Sequence, residues 1–290
     1  MMSKPDISVI IVNWKVRKLL AKCLDSILEN SYGFNLEIFV VDNDSIDGTP
    51  EMIMVKYPKV KMICLHKNYG FAKANNLAIK QARADCIFLL NPDTEILPGF
   101  FSNILNYLNN NPIVGIVGPK ILNNDGSLQP SIRRFPDILS QILVMLKLRN
   151  VLGDNKFLDH YLAKDFDYDQ EQEVEQIMGA AMIIRREVIE RIGMLDEKFF
   201  AWFEEVDYCQ RANKAGFTIK YFPGTVLIHA GGSSFGQQLV FKNQLVFDRS
   251  LLWYFWKHKP FWQWLIVVFL VPINLILTLI YVLFLQKQEE

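Results

Sequence analysis

The chain opens with alternating apolar runs and polar loops. Ile7-Ser8-Val9-Ile10-Ile11-Val12 is a β-branched run and predicts a first, central strand. Leu19, Leu20, Cys23, Leu24, Ile27 and Leu28 then recur at helical spacing. Glu37–Val41 predicts a second strand, closed by the carboxylate-rich turn Asp42–Thr49, and Pro50 opens another helix. Val60–Leu65 predicts a third strand, Asn68–Ala72 a loop and Lys73–Ala84 a helix. Ile87-Phe88-Leu89-Leu90 is apolar throughout, as a strand buried on both faces must be, and Pro92 ends it. The order β-α-β-α-β-α-β predicts a doubly wound, mostly parallel α/β sheet. Every polar loop follows a strand, so the loops gather at the carboxyl edge where such sheets bind ligands. Asp93 lies there, and alone it reads either as a turn cap or as a metal and phosphate handle.

The pattern continues with a helix over Pro98–Asn109 and a short strand over Val114–Pro119. Phe135–Gln176 has weak periodicity and an acidic tail (Asp165, Asp167, Asp169, Glu171, Glu173, Glu175), which predicts a solvated, mobile insertion. Arg133 and Arg134 before it read as a solvated loop, or as cations for a diphosphate. Ile177–Ile184 predicts a strand rich in small residues. Glu204-Glu205-Val206-Asp207 opens a helix that runs to Lys214, with Gly216 past its end. Acids at that place suit a helix N-terminus whether or not they do chemistry, and Arg211 is spaced to pair with Asp207. Thr218–Phe222 and Thr225–Ile228 predict two further strands.

The last stretch changes the picture. Phe261–Leu285 is almost uninterrupted apolar sequence and as a helix would extend ~37 Å at about 1.5 Å per residue. Trp253, Trp256, Trp262 and Trp264 cluster at its start like an interfacial belt, and Lys257, His258 and Lys259 precede it. That bias predicts a catalytic side in the cytoplasm, and the amino terminus has no secretory pattern. Pro272 and Asn274 leave a kinked span and a re-entrant hairpin both open. The expected division is a catalytic domain over 1–240, an amphipathic, aromatic juxtamembrane linker over 241–260 and a membrane helix over 261–285. Lys+Arg and Asp+Glu both number 31, so no net positive charge points to nucleic acid as a partner. The four cysteines form no Cys-x-x-Cys pair and read as buried free thiols. The glycine fingerprints of dinucleotide folds and phosphate-loop NTPases are missing, which disfavours a nicotinamide-dependent oxidoreductase.

Five stretches in order, Val9–Lys15, Val40–Thr49, Asn68–Asn76, Leu89–Thr94 and Gly179–Ser234, resemble the family 2 glycosyltransferases of the GT-A fold, nearest to their membrane-associated, rhamnosyltransferase-like branch. The resemblance implies an inverting transfer from a nucleoside diphosphate sugar such as dTDP-rhamnose to a glycan or polyprenyl-linked acceptor in cell-surface polysaccharide synthesis at the cell membrane. It implies a divalent cation (Mg²⁺ or Mn²⁺) held by Asp93, in the second acid place of the family's Asp-x-Asp, with His229 as its partner. Asn91 stands where the first acid would be, leaving one charged ligand. Val12, Asn13, Asp42, Asn68, Gly70, Asn91, Trp202 and Glu204 are implied in substrate binding. Asp42 would meet the base or ribose, and Gly70 would let the backbone approach the nucleotide. The family's second acid is the base that takes the acceptor proton, which maps to Glu205, with Asp207 as the fallback. Glu replaces the usual Asp there, moving the carboxylate by roughly 1.5 Å. A non-catalytic sugar-nucleotide-binding scaffold at the membrane is the alternative.

Overall fold

A computed structural model describes residues 3–148, 155–231 and 240–286. The chain runs β1 (Ile7–Asn13), α1 (Arg17–Glu29), β2 (Leu36–Asp42), α2 (Thr49–Lys56), β3 (Lys61–Cys64), α3 (Phe71–Ile79), β4 (Cys86–Leu90), β5 (Thr94–Ile96), α4 (Phe100–Asn110) and β6 (Val114–Leu122). It continues β7 (Ile132–Arg133), α5 (Ile138–Met145), α6 (Lys156–Tyr161), β8 (Gln172–Glu173), β9 (Gln176–Ile177), β10 (Ala181–Arg185), α7 (Arg186–Ile192), α8 (Glu204–Lys214), β11 (Thr218–His229), α9 (Val240–His258) and α10 (Phe261–Gln286). The central sheet has the order β3-β2-β1-β4-β10-β6-β11-β5, with β8 on β11. β3, β2, β1 and β4 are mutually parallel, β10 enters antiparallel between β4 and β6, and β11 runs parallel to β6.

Period-2 geometry explains why β1 reads as unbroken apolar sequence. Ile7, Val9 and Ile11 join one core with α1, α2 and α4, while Ile10 and Val12 join the other with α3, α7 and α8. Both faces are covered, so the loops at the carboxyl edge are what remains open. β5 then folds back antiparallel on the end of β11, pairing His229 with Thr94. The two strands predicted over 218–228 are one, β11, with a register shift between Phe222 and Val226.

Three expectations are corrected. Residues 135–176, apart from the undescribed 149–154, are not solvated throughout: the segment packs on the domain, while Asp165, Asp167, Asp169, Glu171 and Glu173 of its acidic tail are exposed as expected. Met145, Leu158, Tyr161 and Val174 are buried. Three acids of that run find partners: Asp165 takes Arg134, Asp169 takes Lys120, and Glu171 accepts from the Tyr107 hydroxyl. Cys64 is exposed, whereas Cys23, Cys86 and Cys209 are buried, and all are free. The linker expected over 241–260 is α9, whose Leu251, Tyr254 and Phe255 form a third core with Phe199, Phe203, Val206, Met145 and Val267 of α10.

α10 is one continuous helix with Pro272 inside it, so the re-entrant hairpin is not formed. Its polarity is inverted relative to a surface helix. Asn274 and Thr278 are buried against α9, while Phe269, Ile276 and Leu283 are exposed. A soluble helix buries its apolar stripe and exposes its polar one. Over Phe261–Leu283 it is long and apolar enough to cross a membrane. The charges used to orient it are engaged elsewhere, since Lys257 pairs with Asp196 and Asp207, and His258 with Asp207.

Candidate active site

A cavity of about 410 Å³ opens at the carboxyl ends of β1, β2 and β4. Val12, Asn68, Gly70, Asn91 and Asp93 line one part, and Trp202, Glu204, Glu205 and His229 close around it.

The first cluster is built by strand pairing. Because β5 pairs with the end of β11, Ala230 N–H donates to Asp93 O (2.9 Å) and His229 is carried beside the Asn-Pro-Asp turn. His229 Nε2 lies 3.3 Å from Asp93 Oδ1 and 3.3 Å from Asn91 Nδ2. Gln129 fixes the ring. Its Nε2 donates to His229 O (3.1 Å) and Asn123 Oδ1 (2.7 Å), so its Oε1 accepts from His229 Nδ1 at 2.7 Å. That network places a proton on Nδ1 and leaves Nε2 facing Asp93. An imidazole and a carboxylate oxygen at this separation fit one small divalent cation, around which ligands at right angles stand about 3 Å apart. Gln129 supplies the outer hydrogen bond that metal-binding histidines need. Among the described residues no third His, Cys, Asp or Glu joins the pair.

The second cluster is the head of α8. Trp202 and Phe203 both take left-handed φ values, 62° and 67°, an arrangement that costs energy for bulky side chains. Packing of Phe203 on Phe247 and Tyr254 of α9 holds it in place. The turn aims the first residues of α8 into the cavity, so Glu204 and Glu205 both line it. The two acids share the cavity because they sit at the end of the helix, not along its side. Burial, then the charge of Glu205, holds the Glu204 carboxyl well above the ordinary range. Burial also raises Glu205, with backbone hydrogen bonding and the Arg133 guanidinium opposing. The Oε2 atom of each is buried with no hydrogen-bond partner. Two adjacent carboxylates in this setting hold one proton between them more readily than none.

Asn13, Asp42 and Asp207 are placed elsewhere. Asn13 donates to Asp42 Oδ1 (2.9 Å) and Ser45 Oγ (3.1 Å), while Ser45 N–H donates to Asp42 Oδ2 (2.9 Å). Both are buried and tie down the 42–49 turn, and the neighbour that reaches the cavity is Asn43. Asp207, the expected fallback base, does not line the cavity and is held as an anchor. Its carboxylate meets Arg211 (2.8 Å), Lys257 (2.7 Å) and His258 (2.7 Å). Burial alone would raise it, but these partners pull it down to about 2. Gly70 is also reread. Its φ is +84°, and a Cβ there would stand 2.2 Å from Phe200 O, so the close approach is to the protein's own backbone. Asn68 Oδ1 accepts from Gly70 N (2.9 Å) in a local turn while its side chain edges the cavity.

Residues 8–193, more than half of the chain, match the Glycosyl transferase family 2 profile. The chain belongs to that family. It is therefore a glycosyltransferase. The transferase is 29% identical over 217 residues, 70% of its length and 69% of the relative's, to the N-acetylglucosaminyl-diphospho-decaprenol L-rhamnosyltransferase of Mycobacterium tuberculosis. It is 24% identical over 214 residues, 73% of its length and 65% of the relative's, to the dTDP-rhamnosyl transferase RfbF of Shigella flexneri. In fold it resembles the mannosyltransferase PcManGT from Pyrobaculum calidifontis, solved in complex with GDP-Man and Mn²⁺, with a TM-score of 0.57 at 19% identity. That match covers 88% of the transferase and 64%, just under two thirds, of the solved chain. The sheet is thus the GT-A sheet. Sequence reasoning missed Gln129 and Asn43. Nothing in the local sequence marks Gln129, whose partner lies 100 residues away.

Proposed function

We propose that this transferase inverts the sugar it moves, taking rhamnose from dTDP-rhamnose to a lipid-linked glycan acceptor at the cytoplasmic face of the cell membrane. The observation that carries the reading is one cavity with the Asp93–His229 pair on one wall and the Glu204–Glu205 pair on another. The first wall suits a nucleoside diphosphate, and the second suits an acceptor hydroxyl.

The acceptor oxygen attacks the anomeric carbon as the bond to the diphosphate oxygen breaks, and Glu205 takes the hydroxyl proton. Glu204, holding its own proton, donates a hydrogen bond and leaves the negative charge on its neighbour. Asp93 and His229, with Asn91 beside them, would hold a divalent cation, which when bound supplies Lewis-acid neutralisation of the departing diphosphate. Asp93 brings the charge and His229 a neutral nitrogen steered by Gln129. The names of the Mycobacterium tuberculosis and Shigella flexneri relatives support rhamnose, and the solved mannosyltransferase's Mn²⁺ supports a divalent cation. The inverted polarity of α10 supports membrane attachment.

A panel of nucleotide sugars tested by calorimetry with and without Mn²⁺ should select dTDP-rhamnose. Asp93→Asn should abolish the metal-dependent part of binding, and transfer to a polyprenyl-diphosphate glycan should follow. Equal binding by Asp93→Asn and parent, in cation and in chelator, removes the metal assignment. Donor binding with no transfer and no donor hydrolysis would favour the scaffold alternative.

A further inference from the structure

α10 has the length of a membrane span, but its surroundings are not those of one. Asn274, near its middle, donates to Asp248 of α9 (2.7 Å), and Gln244 donates to the same carboxylate (2.9 Å). Lys147, just past α5, donates to Gln244 (2.6 Å). At the level of Val271 a groove of about 690 Å³ lies between α9 and α10, with Lys198, Asp248 and Arg249 along it. A perpendicular helix would carry its midpoint, and these charged groups with it, to the centre of the bilayer. Charged side chains there are costly and are normally shielded inside a bundle. Lys198 and Arg249 are exposed. Neither has a carboxylate partner among the described residues.

The exposed side of α10 has a different character. Trp262, Phe269, Ile276 and Leu283 are each more than half exposed (56%, 72%, 59% and 54%) and recur every seventh residue along one stripe. The stripe points away from α9. If it lies along the acyl boundary, the α9 side of the helix stands about 10 Å higher, one helix diameter, at the level of the lipid phosphates. That is where Lys198 and Arg249 lie and where indole rings are favoured. Trp253, Trp256 and Trp264 wall the groove, with Lys198 Nζ 3.9 Å from the Trp253 ring centroid.

We propose that the α9–α10 pair lies flat in the surface of an anionic bilayer rather than crossing it, with the groove between the helices taking the phosphate of an anionic phospholipid. The occupant follows from charge, since Lys198 and Arg249 are exposed along the groove while the Asp248 carboxylate is buried and taken by Gln244 and Asn274, and the aromatic wall suits a lipid's glycerol and first methylenes. Lying flat also keeps Asp248, Lys147 and the catalytic domain out of the hydrocarbon. The inference rests on the membrane attachment proposed above.

Depth measurement tests it on the full chain in a Cys64→Ser background, where the other native cysteines are buried. Single cysteines at Phe269, Ile276 and Leu283 are labelled with an environment-sensitive dye. Quenching is then measured in phosphatidylcholine–phosphatidylglycerol vesicles carrying doxyl groups at shallow or deep chain positions. The flat arrangement expects the same shallow depth at all three sites. A gradient along them, or Ile276 deepest, overturns it in favour of a span. Labels shielded from water but unquenched, with a dimer in solution, overturn it in favour of a second copy covering the stripe. A chain that stays with water and shows no quenching overturns membrane attachment itself. For the groove, Lys198→Ala/Arg249→Ala should reduce the preference for phosphatidylglycerol over phosphatidylcholine vesicles roughly thirtyfold in flotation, as expected for two basic residues near an anionic surface. Lys18→Ala/Lys56→Ala should leave it unchanged. Equal loss in both pairs, no loss in the first, or a groove filled only by prenyl diphosphate overturns the headgroup assignment.

Discussion

Residue identity at the head of α8 decides both chemistry and stability. Glu205→Gln retains size and hydrogen-bonding capacity but cannot take a proton, so turnover should fall by roughly 10²–10⁴ with donor affinity little changed. In the parent, the rate should rise with pH through a limb above the ordinary carboxylate value of 4.5, because burial raises Glu205. Steady-state kinetics across pH check both. Glu204 carries the opposite stability sign from Asp207. Its folded pKa is raised, so the folded state binds more protons than the unfolded one above pH 4.5, and stability falls as pH rises from there. Glu204→Gln should therefore raise Tm at neutral pH and flatten that fall. Asp207 is depressed from 3.8 to about 2, so its contribution is present above pH 3.8 and is lost as pH falls through about 2. Asp207→Asn should cost about 2–3 kcal/mol at neutral pH, from the shift alone, and nearly nothing near pH 2. Thermal unfolding of the two variants across pH separates these cases, and a surviving transfer activity in Asp207→Asn agrees with an anchor rather than a base.

At the scale of elements, the site depends on loops pressed against each other. The loop before α3 meets the segment before α8 where Gly70 passes Phe200, and Phe71 N–H donates to Phe200 O (2.8 Å). Gly70→Ala adds a methyl 2.2 Å from that oxygen and forces an L residue into φ +84°. The two loops must part. The expected result is a loss of about 2–4 kcal/mol in chemical denaturation, above the ordinary cost of a strained residue because backbone rather than a side chain has to move. Donor binding should weaken as well, since the same loop carries Asn68. The 135–176 segment illustrates the same scale. Its acids are largely exposed, as the sequence pattern predicts, but a one-dimensional pattern shows charge without showing partners. In the fold they meet Arg134, Lys120 and Tyr107, brought there by the sheet flank.

For the whole molecule, α9 and α10 join the catalytic domain to its surroundings. α9 is not a spacer, since Tyr254 and Phe255 are fully buried and Lys257 and His258 lock onto Asp207. Cutting the chain after Lys259 removes α10, uncovers Val267's site in the third core and leaves Asp248 without Asn274. The shortened chain should no longer float with vesicles and should also melt lower than the parent. Flotation and calorimetry measure the two effects separately, and a shortened chain that still floats would place attachment elsewhere.

The sequence alone determined the alternating α/β order, because periods of 2 and 3.6 and turn residues are local signals. It also marked Asn91, Asp93, Glu204, Glu205 and His229, because short motifs survive in one dimension. The tertiary structure alone decided which of these meet. Asp93 and His229 come together through β5–β11 pairing, Gln129 orients the ring from 100 residues away, and Asp207 is claimed by a helix 51 residues on. It also decided that Asn274 and Thr278 of α10 face α9 beside the buried Val267, while an apolar stripe faces outward. Hydrophobic periodicity states that a residue is to be buried but not against what, and a carboxylate's role follows from its partners rather than from its place in a motif.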